Sequence, residues 1–273
     1  MNYKLSNSGF SLTEVLIAVG ILAVGMVFVA GVFPAAIYLT TIATERTIAA
    51  VAADEAFAKI RIYAVGDLSI TTDDVDITTL PTNSLTDFNN TIIFPATTNL
   101  ITADEFQYPS ADANEPNQYY WSALCRRDAP DPNQLVQITV FVSRKTGASL
   151  RYYCPDPVGS GEVDWSAPDI TDWPVPVKVG VSGGNNELAI TNSNEKSFIN
   201  DGYTIVDDAT GRIYRVLERY KPNDTIILLD RDWDNNDWQG NPTNPPTFVW
   251  VVPPPVGGGR CPCISVYQKL IRF

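Results

Sequence analysis

The distribution of apolar and polar positions divides the chain near residue 65. From Val15 to Leu39 the sequence VLIAVGILAVGMVFVAGVFPAAIYL runs for 25 residues without a charged side chain. A helix rising 1.5 Å per residue needs about 20 apolar residues to cross the hydrocarbon core of a bilayer, so 15–39 predicts a transmembrane segment. A core helix of a soluble domain would show a single apolar stripe, whereas this run is apolar all round. A cleaved secretory signal would have a shorter apolar stretch of about 7–15 residues, with its small cleavage-site residue beyond it. Past Leu39 the pattern stays helical, because residues 42–60 hold strong helix formers and neither Gly nor Pro. Within it Ala49, Ala52, Ala53, Ala56 and Ile60 form a flat small-residue stripe suited to packing under a sheet. Gly66-Asp67 ends the pattern, and a helix over 10–65 would measure about 80 Å at the standard rise.

Beyond Gly66 the period shortens. Residues 67–118, rich in Thr, Asp and Asn, read as a long loop with one or two short strands. Tyr119–Cys125 and the β-branched run Leu135–Val142 predict two strands joined by a turn over Arg126–Asn133. Lys145–Ala148 predicts a hairpin turn into a third strand, Ser149–Cys154. The result would be an antiparallel meander with one face buried on the Ala-rich stripe. Residues 155–174 contain four prolines and read as a linker. Six more strands are then predicted: Val175–Val181, Leu188–Thr191, Tyr203–Val206, Arg212–Arg219, Thr225–Leu229 and Phe248–Val252. Asp207–Gly211 and Lys221–Asp224 have hairpin-turn chemistry, and strands at this spacing suit a small barrel or sandwich. Cys263–Phe273 reads as a last strand of the first sheet. The predicted class is α+β: a long N-terminal helix packed on an antiparallel sheet, with an additional β-rich module. Whether that module, 175–252, is an insertion or part of one continuous β-domain stays open.

Charge sharpens this division. Residues 1–65 carry four basic side chains (Lys4, Arg46, Lys59, Arg61) and four acidic ones (Glu14, Glu45, Asp54, Glu55). The remainder therefore holds 19 − 4 = 15 basic and 31 − 4 = 27 acidic groups, which is the whole net charge of −12. Such a balance lacks the electrostatic drive for nucleic-acid binding. The chain contains no histidine, which excludes Ser-His-Asp and Cys-His catalysis and any imidazole-ligated metal. Lys4, in a leader without acids, keeps the N-terminus cytoplasmic by the positive-inside rule and places the rest across the membrane.

One side chain does not suit a passive anchor. Glu14 lies in the first turn of the apolar helix, where a carboxylate costs a few kcal/mol and marks function by default. Were the chain cut between Gly9 and Phe10, the new α-amino group would be its partner. The run Gly9-Phe10-Ser11-Leu12-Thr13-Glu14, after a short basic leader and before a long apolar helix, resembles the class III signal of type IV pilins and type II secretion pseudopilins. All fixed positions of that pattern are present. The resemblance covers about the first 65 residues. It implies cleavage after Gly9 by a membrane prepilin peptidase, N-methylation of Phe10, and pairing of the Glu14 carboxylate with the N-terminal amine of an adjacent subunit during assembly. It further implies other pilin or pseudopilin subunits and an inner-membrane assembly platform as partners. The location it implies is a single-pass inner-membrane protein with a periplasmic C-terminal domain, which enters a filament on assembly. The spacing of Ala, Gly and Val in 14–33 is similar to the minor-subunit branch. So is the size: 273 − 9 = 264 residues would remain after processing, more than a major pilin usually has. The family's helix-bending proline falls a few residues earlier than Pro34. On this reading 1–9 is the leader, 10–65 the pilin helix, and 66–154 plus 260–273 the pilin-like β-domain.

Four cysteines on the far side of a membrane point to two disulfides. Cys261-Pro262-Cys263 is too tight for an easy internal bridge, so the preferred pairing joins Cys261 and Cys263 to Cys125 and Cys154. A zinc site using all four thiolates is the rival, with poor ligand spacing. Asp230, Asp232 and Asp234 have the alternation of a calcium loop, but Gly is missing at the sixth position and Asn241 stands at the twelfth. A solvated acidic turn is the simpler account, and no cofactor is expected. Trp233, Trp238 and Trp250 would serve either a sugar-stacking face or the core. No nucleophile elbow, phosphate-binding loop or dinucleotide fingerprint occurs, so an enzyme is not expected. The favoured function is a minor pilin or pseudopilin. The alternative is a membrane-anchored calcium- or glycan-binding module.

Overall fold

The structure is a computed structural model that describes residues 9–66, 84–87, 106–109, 118–127, 135–144, 152–154, 164–166, 174–182, 184–220, 225–234, 247–256 and 260–272. The chain forms two units, one ending at Thr47 and one running from Ile48 to Phe273. Helix α1, Leu12–Gly66, contributes to both.

Among the described residues of the first unit, the helix is exposed throughout 12–41. Leu16, Ile21, Val27, Phe33 and Leu39 are all exposed, on every side of the cylinder, as the absence of an amphipathic period requires. The hydroxyls of Thr40, Thr41, Thr44 and Thr47 donate to the carbonyls of Ala36, Ile37, Thr40 and Ala43 at 2.8–3.0 Å. Polar groups satisfied inside the helix in this way are tolerated in or near lipid.

In the second unit the strands are β1 (Thr86–Asp87), β2 (Gln107–Tyr108), β3 (Tyr119–Arg127), β4 (Leu135–Arg144), β5 (Tyr152–Cys154) and β6 (Asp164–Ser166). They continue with β7 (Val175–Val181), β8 (Glu187–Ile190), β9 (Thr204–Asp207), β10 (Ile213–Arg219), β11 (Ile226–Leu229), β12 (Thr247–Val251) and β13 (Cys263–Arg272). The first sheet has the order β1-β3-β4-β13, with β2 also on β3. Strands β3 and β4 pair antiparallel from Tyr119↔Arg144 to Arg127↔Val136. The far edge of β4 is taken by β13, from Cys263↔Ser143 to Arg272↔Leu135. The expected third meander strand is therefore elsewhere: β5 pairs with β6 in a separate two-stranded ribbon. A ten-residue ladder with β13 offers many more hydrogen bonds than three residues of β5. Strand β6 also falls inside the stretch expected to be a linker. The predicted turns 145–148 and 221–224 lie outside the described residues.

Both faces of this sheet are covered, not one. On one side Ala49, Ala52, Ala53, Ala56, Phe57 and Ile60 of α1 pack against Trp121, Ala123, Ile138, Val140 and Val142. Alanines let the helix lie close to the sheet, and each large apolar side chain buried here contributes about 1.5–3 kcal/mol. Lys269 ties β13 to the helix, with Nζ 2.6 Å from Asp54 Oδ1 and 4.5 Å from the centre of the Phe57 ring. On the other side Tyr120, Leu124 and Phe141 join a second core made mainly by the barrel.

The barrel is closed, in the order β10-β11-β8-β7-β12-β9. Along β7 the valines 175, 177 and 179 point inward, while Pro176, Lys178 and Gly180 alternate outward. Closure pairs every edge, which a sheet this short could otherwise leave open to association. The barrel meets the sheet through the β9–β10 turn, Asp207–Arg212. Arg126 of β3, 5% exposed, donates from Nη1 to Ala209 O at 2.8 Å and from Nε to Gln137 Oε1. Gln268 of β13 donates to Thr139 Oγ1 at 2.9 Å and to the Gly211 carbonyl. The Leu85 amide donates to Asp208 O at 3.1 Å and Oδ1 at 2.9 Å, and Trp250 Nε1 donates to the same Oδ1 at 2.8 Å.

Candidate functional site

Gly9 and Phe10 precede the helix outside any regular element and are exposed, Phe10 to 84%. The helix begins at Leu12 because Ser11 caps it. The Glu14 amide donates to Ser11 Oγ at 3.2 Å and to Ser11 O at 3.1 Å, and Ser11 Oγ lies 2.9 Å from Thr13 Oγ1. Ser11 and Glu14 stand in the spacing of a capping box, and a carboxylate in the first turn also meets the positive end of the helix dipole. Reading Ser11 as a cap was open from sequence, since a hydroxyl residue three before a Glu at the head of an apolar run is that signature.

A Cβ built on Gly9 meets nothing within 4 Å, and the same holds for Gly20, Gly25 and Gly31 of the helix. The folded chain itself therefore places no steric demand for glycine at these positions. Chemically the segment offers an accessible Gly–Phe bond, four residues ahead of an acid fixed in the first helical turn.

The other predicted site residues are dispersed. Cys261 and Cys263 are free thiols that pack beside the barrel-side core, whereas Cys125 belongs to the helix-side core. The sheet itself stands between them, which corrects the expected staple from the C-terminal pair to Cys125. The side chain of Cys154 lies outside the described residues. The acidic triplet is likewise not gathered into a site. Asp230 Oδ1 accepts from the Arg215 amide at 3.0 Å, Asp234 pairs with Arg212, and Asp232 is exposed. Among the described residues no group of three or more Cys, Asp or Glu is placed to hold a metal. Trp233 is 6% exposed, with its ring 4.8 Å from that of Tyr214, so it is core and not a sugar platform. Trp250 is half-buried on Asp208, and Trp238 lies outside the described residues.

Residues 4–30 match the prokaryotic N-terminal methylation motif. The match begins at Lys4 in the leader and spans the Gly9–Phe10 bond, Glu14 and the first half of the apolar run, so the chain carries a type IV pilin-like prepilin signal. Its helix is long and apolar enough to cross a membrane. Signal and helix together mark a membrane-anchored pilin-like precursor. Neither a curated protein nor a solved structure matches the chain.

Proposed function

We propose that this protein is a minor pilin or pseudopilin, a structural subunit and not an enzyme. It would be cut after Gly9 by a prepilin peptidase, methylated on the new Phe10 amine, and assembled through α1. The observation that carries this reading is the coincidence of the methylation motif with an exposed Gly–Phe bond directly ahead of a capped helix. A glycine that the fold does not need fits a bond chosen by an outside enzyme. Once cleaved, the Phe10 amine and the Glu14 carboxylate of a neighbour would form a charge pair in lipid, where an unpaired carboxylate is costly. That cost sets the axial position of each incoming subunit. Processing would leave the N-terminus at the cytoplasmic face, with the β-rich part periplasmic before assembly and displayed on the filament afterwards.

The size and the second β-region favour a minor subunit. We read 66–154 plus 260–273 as the pilin-like β-domain and 175–252 as a module inserted into it. The return of β13 to β4 supports this, as does the closure of β7–β12 among themselves.

Mass spectrometry of the N-terminus, on protein co-expressed with a prepilin peptidase, tests the reading directly. The expected product begins at Phe10 and carries one added methyl group. An intact Met1 under active peptidase, or a cut beyond residue 30, would overturn it.

A further inference from the structure

Among the described residues, one long strand edge is open. The barrel closes on itself, the strands of the β5–β6 ribbon have three residues each, and one end of the first sheet is made by the two-residue strands β1 and β2. The other end is β13, ten residues long, which pairs with β4 on one side and with no described strand on the other. Alternate residues of such an edge direct N–H and C=O away from the sheet, about 6.8 Å apart. An edge of this length is a template for a strand from another chain.

The side chains of β13 anchor it from both faces. Ile264, Tyr267 and Ile271 pack against the helix-side core and Val266 against the barrel-side core. Near the end of the strand the cover stops. Lys269, Leu270 and Arg272 are exposed, Leu270 to 56%. By alternation Lys269 shares the face of Ile271, while Leu270 and Arg272 share the other. An incoming strand therefore meets one cation on each face, with an apolar side chain between them.

Charge decides which strand can enter. Residues 260–273 carry Arg260, Lys269 and Arg272 and no acid. The rest of the acidic part, 66–259, holds 15 − 3 = 12 basic and 27 acidic side chains. Charges on an edge guard against association of like edges. Placing β13 beside β13 of another copy would set cations opposite cations, which is unfavourable, whereas an acidic strand brings opposite charges together. The Asp54 carboxylate, 2.6 Å from Lys269 Nζ, leaves this preference in place, because that pair is itself exposed and weak.

We propose that the open edge of β13 takes up an extended acidic segment of a neighbouring subunit as a further strand of the first sheet. Backbone pairing supplies the attachment, and Lys269, Leu270 and Arg272 select the segment. That the neighbour is a filament subunit rests on the function proposed above; the preference of the edge for such a segment does not.

A synthetic peptide copying Ser69–Leu80 has the required chemistry. Its acids Asp73, Asp74 and Asp76 fall on both faces of an extended strand, Val75 and Ile77 are β-branched, and it has neither a proline nor a basic residue. Titrated on the full chain in detergent micelles, one peptide should bind per chain. Amide exchange should show new protection at alternate residues of 264–272 and none on β7 or β8. Two further peptides, N-methylated on one or the other alternate set of residues, separate backbone pairing from simple attraction: one should bind and the other should not. Arg272→Glu should weaken binding about tenfold, since a like-charge pair replaces an opposite-charge pair. Lys178→Glu, an equal change of charge on an exposed barrel position, should leave it unaltered. The proposal is overturned by a peptide that does not bind, by equal binding when its three Asp are replaced by Lys, by binding of both N-methylated peptides, or by an Arg272→Glu chain that binds like the native one. An intact Met1 under active peptidase would overturn the filament reading without changing the peptide result. Failure of a correctly processed chain to bind would overturn the edge proposal alone.

Discussion

Replacing Arg126 by Met tests whether the barrel is locked to the sheet by one buried guanidinium. Arg126 is 5% exposed, donates to Ala209 O at 2.8 Å and to the Gln137 side chain, and lies near the Asp208 carboxylate, whose ionised form it favours. Methionine fills part of the volume but supplies no donor. A hydrogen bond from a charged group is worth about 1.5–3 kcal/mol, and a buried acceptor left unsatisfied costs about 1–3 kcal/mol. Asp208, half-buried nearby, would also lose a positive charge that favours its ionised form. These terms overlap, so the expected loss for the two bonds is about 3–5 kcal/mol and not their sum. For a unit of this size each kcal/mol moves Tm by about 2–4 °C, which gives a fall of about 6–20 °C. Heat unfolding of the full chain in detergent, followed by tryptophan fluorescence, measures it. Amide exchange locates it: the Leu85 amide, bonded to Asp208, should lose protection, while Ala53 in the helix–sheet core should not. Lysine at 126 should recover less than half of the loss, because it lacks the planar fork. A loss under about 1 kcal/mol would show that the lock is not made by this side chain.

Three further outcomes follow from the same geometry. Gly202 and Gly211 both have positive φ, 79° and 69°, but a Cβ on Gly202 meets open space whereas one on Gly211 would lie 2.8 Å from Gln137 Nε2. Ala at 202 should therefore cost about 1–2 kcal/mol, and Ala at 211 about 1 kcal/mol more in urea unfolding; equal losses would contradict the close approach. Burial raises Asp207 from 3.8 to about 6, against hydrogen bonds from Thr210 and the Ala209 and Thr210 amides that lower it. The folded state thus holds a proton that the unfolded state has released, so this group's stabilisation is complete below pH 3.8 and is lost as pH rises through 6. At 1.36 kcal/mol per unit the loss is about 3 kcal/mol, and Asp207→Asn should gain on the native chain by that much between pH 4 and 7; parallel pH profiles would refute it. Glu14→Ala should insert in the membrane and be cleaved normally, yet enter filaments poorly when subunits are cross-linked in cells; normal incorporation would remove Glu14 from assembly.

Much of the fold was legible because its elements are locally determined. The apolar run and the Ala stripe announce a helix, and β7 alternates valine with Pro, Lys and Gly so cleanly that its inward face is readable residue by residue. Strand β11, Ile-Ile-Leu-Leu, is apolar at all four positions, so nothing local says which two side chains face inward. Pairing with β8 and β10 buries Ile227 and Leu229. The meander was misjudged at its third strand because a hairpin signal is local, whereas β13 competes for the same edge from over 100 residues away. The methylation motif was legible because its residues, 4–30, are read one by one along a single stretch. The cysteine pairing was not, since which side of the sheet a thiol occupies depends on the register of strands distant in sequence.

The sequence by itself determined what depends on neighbours along the chain: an apolar helix long enough to span lipid, its signal, its cap and a neutral stem before an acidic remainder. Tertiary structure alone decided what depends on which surfaces meet. It put the sheet between helix and barrel, turned Arg126 and Asp207 into buried joint residues, and set Cys125 on the opposite face from Cys261 and Cys263. The physical reason is range. Periodicity and capping act within a few residues, while a buried polar contact is selected only after two cores have closed around it.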